Sequence, residues 1–170
     1  WAEIDTEAAA HNVRQLKELI GPGCQLMAVI KANGYGHGAM TIAREALANG
    51  ATWLAVAFPE EGAALRRAGI AAPILVLGGM LLDQLELCVT KDLAAVVFQG
   101  DHAAALSAAA RRWNKSVRVH IKIDTGMGRL GLQPEEAVSF VRRIKGLPGL
   151  EIQGIFTHFA TADRQDDYYR

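Results

Sequence analysis

Short apolar runs alternate with helical patterns along nearly the whole chain, and no other feature of the sequence restricts the fold as strongly. Parallel strands that are joined by helical crossovers give this alternation, so the sequence predicts an α/β protein. The predicted strands are residues 25–30, 53–57, 74–77, 94–98, 117–123 and 151–157. The predicted helices are residues 6–20, 38–48, 59–68, 81–90, 101–113 and 134–145.

Two parallel architectures fit this alternation. A doubly wound sheet usually carries a Gly-rich phosphate turn after its first strand, and no G-x-G-x-x-G pattern follows residues 25–30. A (β/α)8 barrel is built from units as short and regular as these, but it needs eight strands. The periodicity slightly favours a TIM-type (β/α)8 barrel that is incomplete, with about six of its strands present.

Polar and apolar side chains alternate in the fifth predicted strand. The two faces consist of Val117, Val119, Ile121 and Ile123 and of Arg118, His120, Lys122 and Asp124. A parallel strand that is covered on both faces is usually apolar throughout. The polar face therefore indicates either an edge strand with one hydrated face or a polar pocket at the carboxyl end of a barrel strand, where barrel active sites lie.

The loop after this strand, residues 124–131, contains three glycines in eight residues. Glycine lets the backbone approach a ligand closely. Arg129 in this loop has the planar guanidinium that binds a carboxylate through two parallel hydrogen bonds. The loop predicts a carboxylate-binding site at Arg129, although solvated arginines are also common in Gly-rich turns.

Lys31 directly follows the first predicted strand, in the sequence Lys-Ala-Asn-Gly-Tyr-Gly-His-Gly. This position lies at the rim of the sheet, where partial removal from water suits an amine nucleophile. The alternative is a lysine that simply extends from a strand end into solvent. Tyr35, His37 and the neighbouring glycines favour the first interpretation.

The charge balance argues against two classes of partner. Eighteen Lys and Arg residues match eighteen Asp and Glu residues, whereas nucleic acids and anionic membranes attract an excess of basic residues. Cys24 and Cys88 have no metal-ligand spacing, so we expect no metal site. No apolar run reaches the roughly 18 residues of a membrane span, and no signal peptide is visible. We expect a soluble, cytoplasmic protein.

Four segments, in order along the chain, resemble motifs of the alanine racemases, a family of pyridoxal-phosphate enzymes with a barrel domain. Residues 28–38, Ala-Val-Ile-Lys-Ala-Asn-Gly-Tyr-Gly-His-Gly, resemble the signature of the cofactor lysine. Residues 1–5 resemble the family's opening strand, residues 122–131 its substrate-arginine loop, and residues 157–163 the end of a later strand. The resemblance covers essentially the whole chain.

The resemblance implies roles for five residues. Lys31 would hold pyridoxal 5'-phosphate as a Schiff base and move the α-proton on the D-alanine side. Tyr35 would hydrogen-bond the cofactor phosphate, and His158 would lie beside the pyridine ring. Arg129 would contact the substrate carboxylate and hold the second base, a tyrosine. Lys122 corresponds to a lysine that is often carbamylated in this family.

The resemblance also implies an activity: a dimeric bacterial enzyme that racemises L- and D-alanine by a two-base mechanism and supplies D-alanine for peptidoglycan. Residues 1–170 would be the N-terminal part of the barrel, without the C-terminal β domain that supplies the second-base tyrosine across the dimer interface, and would be inactive alone. Tyr168 and Tyr169 lie beyond the last motif and do not match that base. Gly34 departs from the family pattern, in which alanine is commoner.

Three alternatives stay open at this point. A serine racemase of the same family would share these motifs. A non-catalytic pyridoxal-phosphate carrier would not require a carboxylate-binding arginine, so the loop with Arg129 argues against it. A barrel fragment with no function of its own fits all of these observations.

Overall fold

The computed structural model describes residues 1–164, which fold into two compact units. One unit comprises Trp1–Met80 and Lys91–Ala94, and the other comprises Leu81–Thr90 and the described residues from Ala95 onwards. Tyr168 and Tyr169 lie outside the described residues. The elements are, in order, α1 (Thr6–Ile20), β1 (Leu26–Val29), α2 (Lys31–Tyr35), α3 (Ala39–Ala48), β2 (Ala51–Val56), α4 (Pro59–Arg67), β3 (Ile74–Val76), α5 (Leu85–Thr90), β4 (Ala94–Val97), α6 (Gly100–Arg112), β5 (Val117–Lys122), a 3-10 helix (Pro134–Glu136), α7 (Ala137–Ile144) and β6 (Leu150–Phe156).

The first unit is built on three parallel strands. β1 pairs with β2, with Val29 opposite Ala55, and β2 pairs with β3, with Val56 opposite Val76. Every residue of β3 is buried, on both faces of the strand. Burial on both faces is typical of a parallel sheet that is covered by helices on one side and by packed side chains on the other.

The C-terminal end of α4 is fixed by a single arginine. The Arg66 guanidinium donates hydrogen bonds to four backbone carbonyl oxygens, those of Ile70, Ala72, Lys91 and Asp92, at 2.7 to 3.2 Å. A backbone carbonyl without a hydrogen-bond partner is unfavourable, so Arg66 supplies partners for carbonyl groups in the turns near that end of the helix. At the other end of α4, Pro59 occupies the first helical position, as the sequence predicted.

The second unit is also built on parallel strands. β5 pairs with β4 on one side and with β6 on the other, with Val119 opposite both Ala95 and Ile152. β5 is therefore not an edge strand, and the edge-strand interpretation of its polar face is wrong. Within the described residues, β6 pairs with β5 alone.

The six predicted strands are all present, and their observed ends lie within two residues of the predicted ones. The α/β prediction is confirmed. Two helices differ. α5 begins at Leu85, four residues later than predicted, because the side chain of Gln84 accepts the Leu81 N–H and closes a turn there. Pro134–Glu136 is a 3-10 helix that precedes α7.

Candidate functional site

Lys31 stands where β1 leaves the sheet. The preceding residue, Ile30, is buried at 1% exposure, and its N–H donates to the Ala55 carbonyl at 2.8 Å as the last rung of the β1–β2 ladder. Lys31 itself is half-buried. Its Nζ lies 5.8 Å from the centre of the Tyr35 ring, so the two side chains are brought to the same side of the turn.

The segment that joins Lys31 to Tyr35 is left-handed, which the sequence alone did not predict. Ala32, Asn33, Gly34 and Tyr35 have φ values of 51°, 55°, 63° and 54°. The left-handed conformation costs about 1–2 kcal/mol for each residue that carries a Cβ atom. Strain of this kind persists only where the surrounding structure holds it, and it is concentrated at functional sites.

Side chains as well as backbone groups hold the left-handed turn. The Asn33 side-chain oxygen accepts the Ala39 N–H at 2.9 Å, and His37 Nδ1 lies 2.9 Å from the Gly34 carbonyl oxygen. The Ala32 N–H donates to Oε1 of Glu61 at 2.7 Å. Gly34, the departure from the family pattern, has its φ in the region that glycine adopts most easily.

Tyr35 is available to a ligand. Its side chain is 57% exposed, and its hydroxyl makes no hydrogen bond with any residue in the described part of the chain. The tyrosine lines an open cleft of about 640 Å³ together with residues from the start of the chain and from α1. A phenol without a protein partner can donate to an anionic oxygen of a bound molecule.

Two side chains on the polar face of β5, His120 and Lys122, have lowered pKa values. Burial lowers the pKa of His120, with the Arg118 charge acting in the same direction and a side-chain hydrogen bond to Gln153 opposing it. Burial also lowers the pKa of Lys122; Asp124 opposes this shift and Arg129 reinforces it. Lys122 is only 7% exposed, and its Nζ donates to the Ile123 carbonyl at 3.0 Å and lies over the Phe156 ring.

Asp124 organises the loop that follows β5. Its Oδ1 accepts the N–H groups of Gly126 at 3.0 Å and Gly128 at 3.1 Å. The Gly128 and Gly126 N–H groups lower the pKa of the Asp124 carboxyl, because they stabilise its charged form. Gly131 closes the loop with a φ of +127°, and a Cβ atom there would lie 2.6 Å from the Asp124 nitrogen. No other residue fits at this position without displacing the backbone.

Arg129 is exposed at the tip of this loop, in an open cleft of about 700 Å³. The guanidinium makes no hydrogen bond or ion pair with any residue among 1–164. It is close enough to Lys122 to lower the pKa of that amine. Among residues 1–164, no group occupies its five N–H donors. The carboxylate-binding role of Arg129 stays a prediction.

His158 follows β6 and is exposed, with Nδ1 2.8 Å from the Phe159 carbonyl oxygen. If Nδ1 is the protonated nitrogen in this contact, Nε2 is left as an acceptor that faces away from the backbone. The preceding residue, Thr157, ties β6 to β5: its Oγ1 donates to the Ile123 carbonyl at 2.9 Å and lies 2.7 Å from Oγ1 of Thr125.

Known proteins with similar sequences identify the family. A family model described as "Alanine racemase, N-terminal domain" matches residues 4–170. The chain belongs to the alanine racemase family. The alanine racemase of Desulfovibrio desulfuricans is 47% identical over 169 residues, which are 99% of this chain and 46% of that protein. The alanine racemase of Symbiobacterium thermophilum is 49% identical over 169 residues, 99% of this chain and 45% of that protein.

Solved structures of alanine racemases share the fold. The enzyme of Clostridium difficile 630 in complex with cycloserine has a TM-score of 0.89 and 34% identity, and the match covers 98% of this chain and 45% of that one. The enzyme of Bacillus anthracis with bound L-Ala-P has a TM-score of 0.89 and 41% identity, with 99% and 44% covered. The predicted fold class, an incomplete (β/α)8 barrel, is confirmed. The chain spans about half the length of the relatives it matches.

One expectation from the alanine racemase resemblance differs in the structure. Residues 1–5, which resemble the family's opening strand, form no strand in the described part of the chain. A strand needs a partner with which to exchange hydrogen bonds, and no described strand pairs with these residues. Asp5 instead caps α1, since its side chain accepts the Ala8 N–H at 2.9 Å.

The structure adds residues that the alanine racemase motifs did not indicate. Glu61 and the Thr125–Thr157 pair hold backbone groups at the carboxyl ends of strands. The sequence does not indicate the bond between Glu61 and Ala32, because it joins residues 29 positions apart. Thr157 belongs to residues 157–163, which resemble a family motif, but the sequence does not predict that its hydroxyl bonds to Ile123.

The residues that are present fit pyridoxal phosphate. In the first unit, Lys31 supplies a primary amine beside the ring of Tyr35, whose hydroxyl makes no hydrogen bond among the described residues. In the second unit, Arg129 lines an open cleft, and His158 is exposed. The described residues contain no group of three or more His, Cys, Asp or Glu side chains that could bind a metal ion. None of the described helices has the length and hydropathy that crossing a bilayer requires.

Proposed function

We propose that this chain is the N-terminal barrel part of an enzyme that interconverts L- and D-alanine with pyridoxal phosphate as its cofactor. The observation that carries the proposal is the left-handed turn after β1, which places the Lys31 amine and the Tyr35 ring side by side at a strand's carboxyl end. Membership of the alanine racemase family supports the same conclusion. When bound, pyridoxal phosphate supplies an electron-accepting ring that stabilises negative charge at the substrate's α-carbon.

The chain's own residues would divide the work as follows. Lys31 holds the cofactor through Nζ and moves a proton at the α-carbon. Tyr35 would donate a hydrogen bond from its hydroxyl to the cofactor phosphate; the absence of a hydrogen-bond partner for this hydroxyl among the described residues supports this role. Arg129 would bind the substrate carboxylate with donors that no residue among 1–164 occupies, and His158 would contact the cofactor ring.

Racemisation needs a base on each face of the α-carbon. We assign one face to Lys31, and the other to a tyrosine from the C-terminal domain of a partner subunit, held by Arg129. The relatives are about twice as long as this chain, which leaves room for such a domain. In this proposal residues 1–170 are the first part of the barrel in a homodimer that supplies D-alanine for peptidoglycan.

Lys122 is proposed to carry a carbamate. Lys122 is buried and forms no ion pair among residues 1–164; burial lowers the pKa of its amine, Asp124 opposes this shift, and Arg129 reinforces it. Loss of one proton from the ammonium, formation of an N–C bond to CO2 and release of a second proton to solvent would replace this cation by a carbamate anion, so that the interaction with Arg129 becomes attractive. A full-length enzyme prepared in 13C-bicarbonate should show a carbamate carbon signal that is lost in Lys122→Arg. A spectrum without such a signal would show that Lys122 remains a plain amine.

The test of the proposed function is an assay of the full-length protein with pyridoxal phosphate. We expect D-alanine from L-alanine, and faster turnover of alanine than of serine. Absence of alanine turnover, or a preference for serine, would contradict the proposal. Residues 1–170 alone should show no turnover, because the second base is missing; activity comparable with that of the full-length protein would contradict the two-base assignment.

A further inference from the structure

The carboxylate of Glu61 binds three backbone N–H groups that belong to two different parts of the first unit. Oε2 accepts the N–H groups of Ala57 at 2.7 Å and Phe58 at 3.1 Å, next to its own helix α4. Oε1 accepts the N–H of Ala32 at 2.7 Å, which lies in the left-handed turn. Glu61 is half-buried; its bond to Ala57 is partly shielded from solvent, whereas its bonds to Ala32 and Phe58 are exposed.

Glu61 replaces the next rung of the parallel ladder. Val29 is opposite Ala55, and the last backbone rung runs from the Ile30 N–H to the Ala55 carbonyl. If the ladder continued, the Ala32 N–H would donate to the Ala57 carbonyl, two residues further along each strand. That carbonyl accepts the Gly78 N–H, and the Ala32 N–H donates to Glu61. The side chain of Glu61 therefore joins the two strand ends at the point where the backbone no longer does.

The contact with Ala32 goes beyond capping of a helix. Glu136 also accepts an N–H in the turn before its own helix, that of Gln133 at 3.0 Å, and it makes no bond to a distant segment among the described residues. Glu61 makes the equivalent local bond and in addition holds the peptide that directly follows Lys31. That peptide is where the chain enters the left-handed conformation, so its orientation determines where the Lys31 and Tyr35 side chains point.

We propose that Glu61 is a positioning residue for the cofactor lysine: its carboxylate holds the Ala32 peptide, fixes the left-handed turn, and thereby aims Lys31 and Tyr35 at one bound pyridoxal phosphate. The inference rests on the proposed function. It requires a charged group with two accepting oxygens, because Oε1 and Oε2 both face N–H donors. Glutamine has one accepting oxygen, and its amide nitrogen would face a donor.

Two variants of Glu61 separate positioning from capping in the full-length protein. Glu61→Gln removes the charge and one acceptor. Glu61→Asp keeps a carboxylate at the start of α4 but is shorter by one carbon–carbon bond, about 1.5 Å, so it can cap the helix and does not reach Ala32. We expect both variants to raise the apparent Kd for pyridoxal phosphate by about 10-fold, the effect of losing one charge-assisted hydrogen bond.

Two matched controls lie in the same unit. Arg66→Ala removes the four bonds at the opposite end of α4 and should lower the melting temperature while leaving the Kd within about twofold. Glu45→Gln removes one negative charge from α3 and should change neither quantity. An unchanged Kd in Glu61→Asp, or a Kd in Arg66→Ala that rises as much as in Glu61→Gln, would show that Glu61 is only a helix cap.

Hydrogen exchange of the apoprotein tests the same inference without the cofactor. Amides of residues 32–38 should exchange about 10-fold faster in Glu61→Asp than in the wild type, and at the wild-type rate in Arg66→Ala. Equal protection of this segment in the wild type and Glu61→Asp would overturn the inference. If exchange accelerates as expected but the wild-type protein does not bind pyridoxal phosphate, the proposed function fails while the structural role of Glu61 stands.

Discussion

The turns that follow β1 and β5 position their functional side chains in opposite ways. The turn after β1 is held from outside: a side chain from α4, Glu61, reaches back to it, and three residues with Cβ atoms adopt left-handed conformations. The loop after β5 is organised mainly by its own groups, since Asp124 accepts two N–H groups of the loop and Gly131 closes it. One side chain from outside, Thr157, contacts the loop at Thr125.

The difference corresponds to what each side chain would do. Lys31 would form a covalent bond, and its amine must lie at one place relative to Tyr35, so support from a neighbouring helix is useful. Arg129 is exposed in a loop that is organised mainly by Asp124, and its guanidinium makes no hydrogen bond or ion pair within the described residues. Such a guanidinium can donate to a ligand without breaking a bond to the described residues, and the conformation of the loop determines where the guanidinium lies.

The largest effect should come from Arg129. Arg129→Lys in the full-length protein replaces a bidentate donor by a single ammonium, and we expect kcat/KM for alanine to fall by about 100-fold. The melting temperature should stay within about 1–2 °C of the wild type, because Arg129 makes no hydrogen bond with the described residues. A large loss of stability with little loss of kcat/KM would mean that Arg129 is structural.

A smaller effect is expected on the unfolding free energy when an alanine replaces a glycine in each of the two turns. Gly131→Ala places a Cβ atom 2.6 Å from a backbone nitrogen at φ +127°, and we expect it to cost about 2–3 kcal/mol of unfolding free energy. Gly36→Ala, at φ +88° with nothing within 4 Å, should cost only about 1 kcal/mol. Urea unfolding of both full-length variants measures the difference. Equal costs would show that the loop after β5 relaxes as freely as the turn after β1.

The smallest effect is a pH dependence that we assign to β5. The pKa of His120 lies below its ordinary value of 6.5 because of burial, so the unfolded state binds the proton more tightly. His120 therefore destabilises the folded state as the pH falls from about 6.5 through the lowered pKa, and has no such effect above that window. His120→Gln should flatten the melting temperature between pH 7.5 and pH 5. His11→Gln, at an exposed site on α1, should leave the slope unchanged.

The sequence predicted most of the fold because strand–helix alternation is a local pattern, and all six strands appeared within two residues of their predicted ends. It also indicated the glycine-rich loop that carries Arg129, and this residue is exposed in the structure. It did not predict the left-handed turn, since Ala32, Asn33 and Tyr35 have no intrinsic preference that would outweigh its strain. The contacts of Glu61 are non-local, and no spacing along the chain indicates them.

The assignment of Lys31 as the cofactor lysine is the central claim, and chemical labelling tests it most directly. The full-length protein is incubated with pyridoxal phosphate, reduced with borohydride, digested and mapped by mass spectrometry. We predict a pyridoxyl group on Lys31, at the end of β1, and an unmodified Lys122, which is buried on β5. A pyridoxyl group on Lys122, with Lys31 unmodified, would contradict the account.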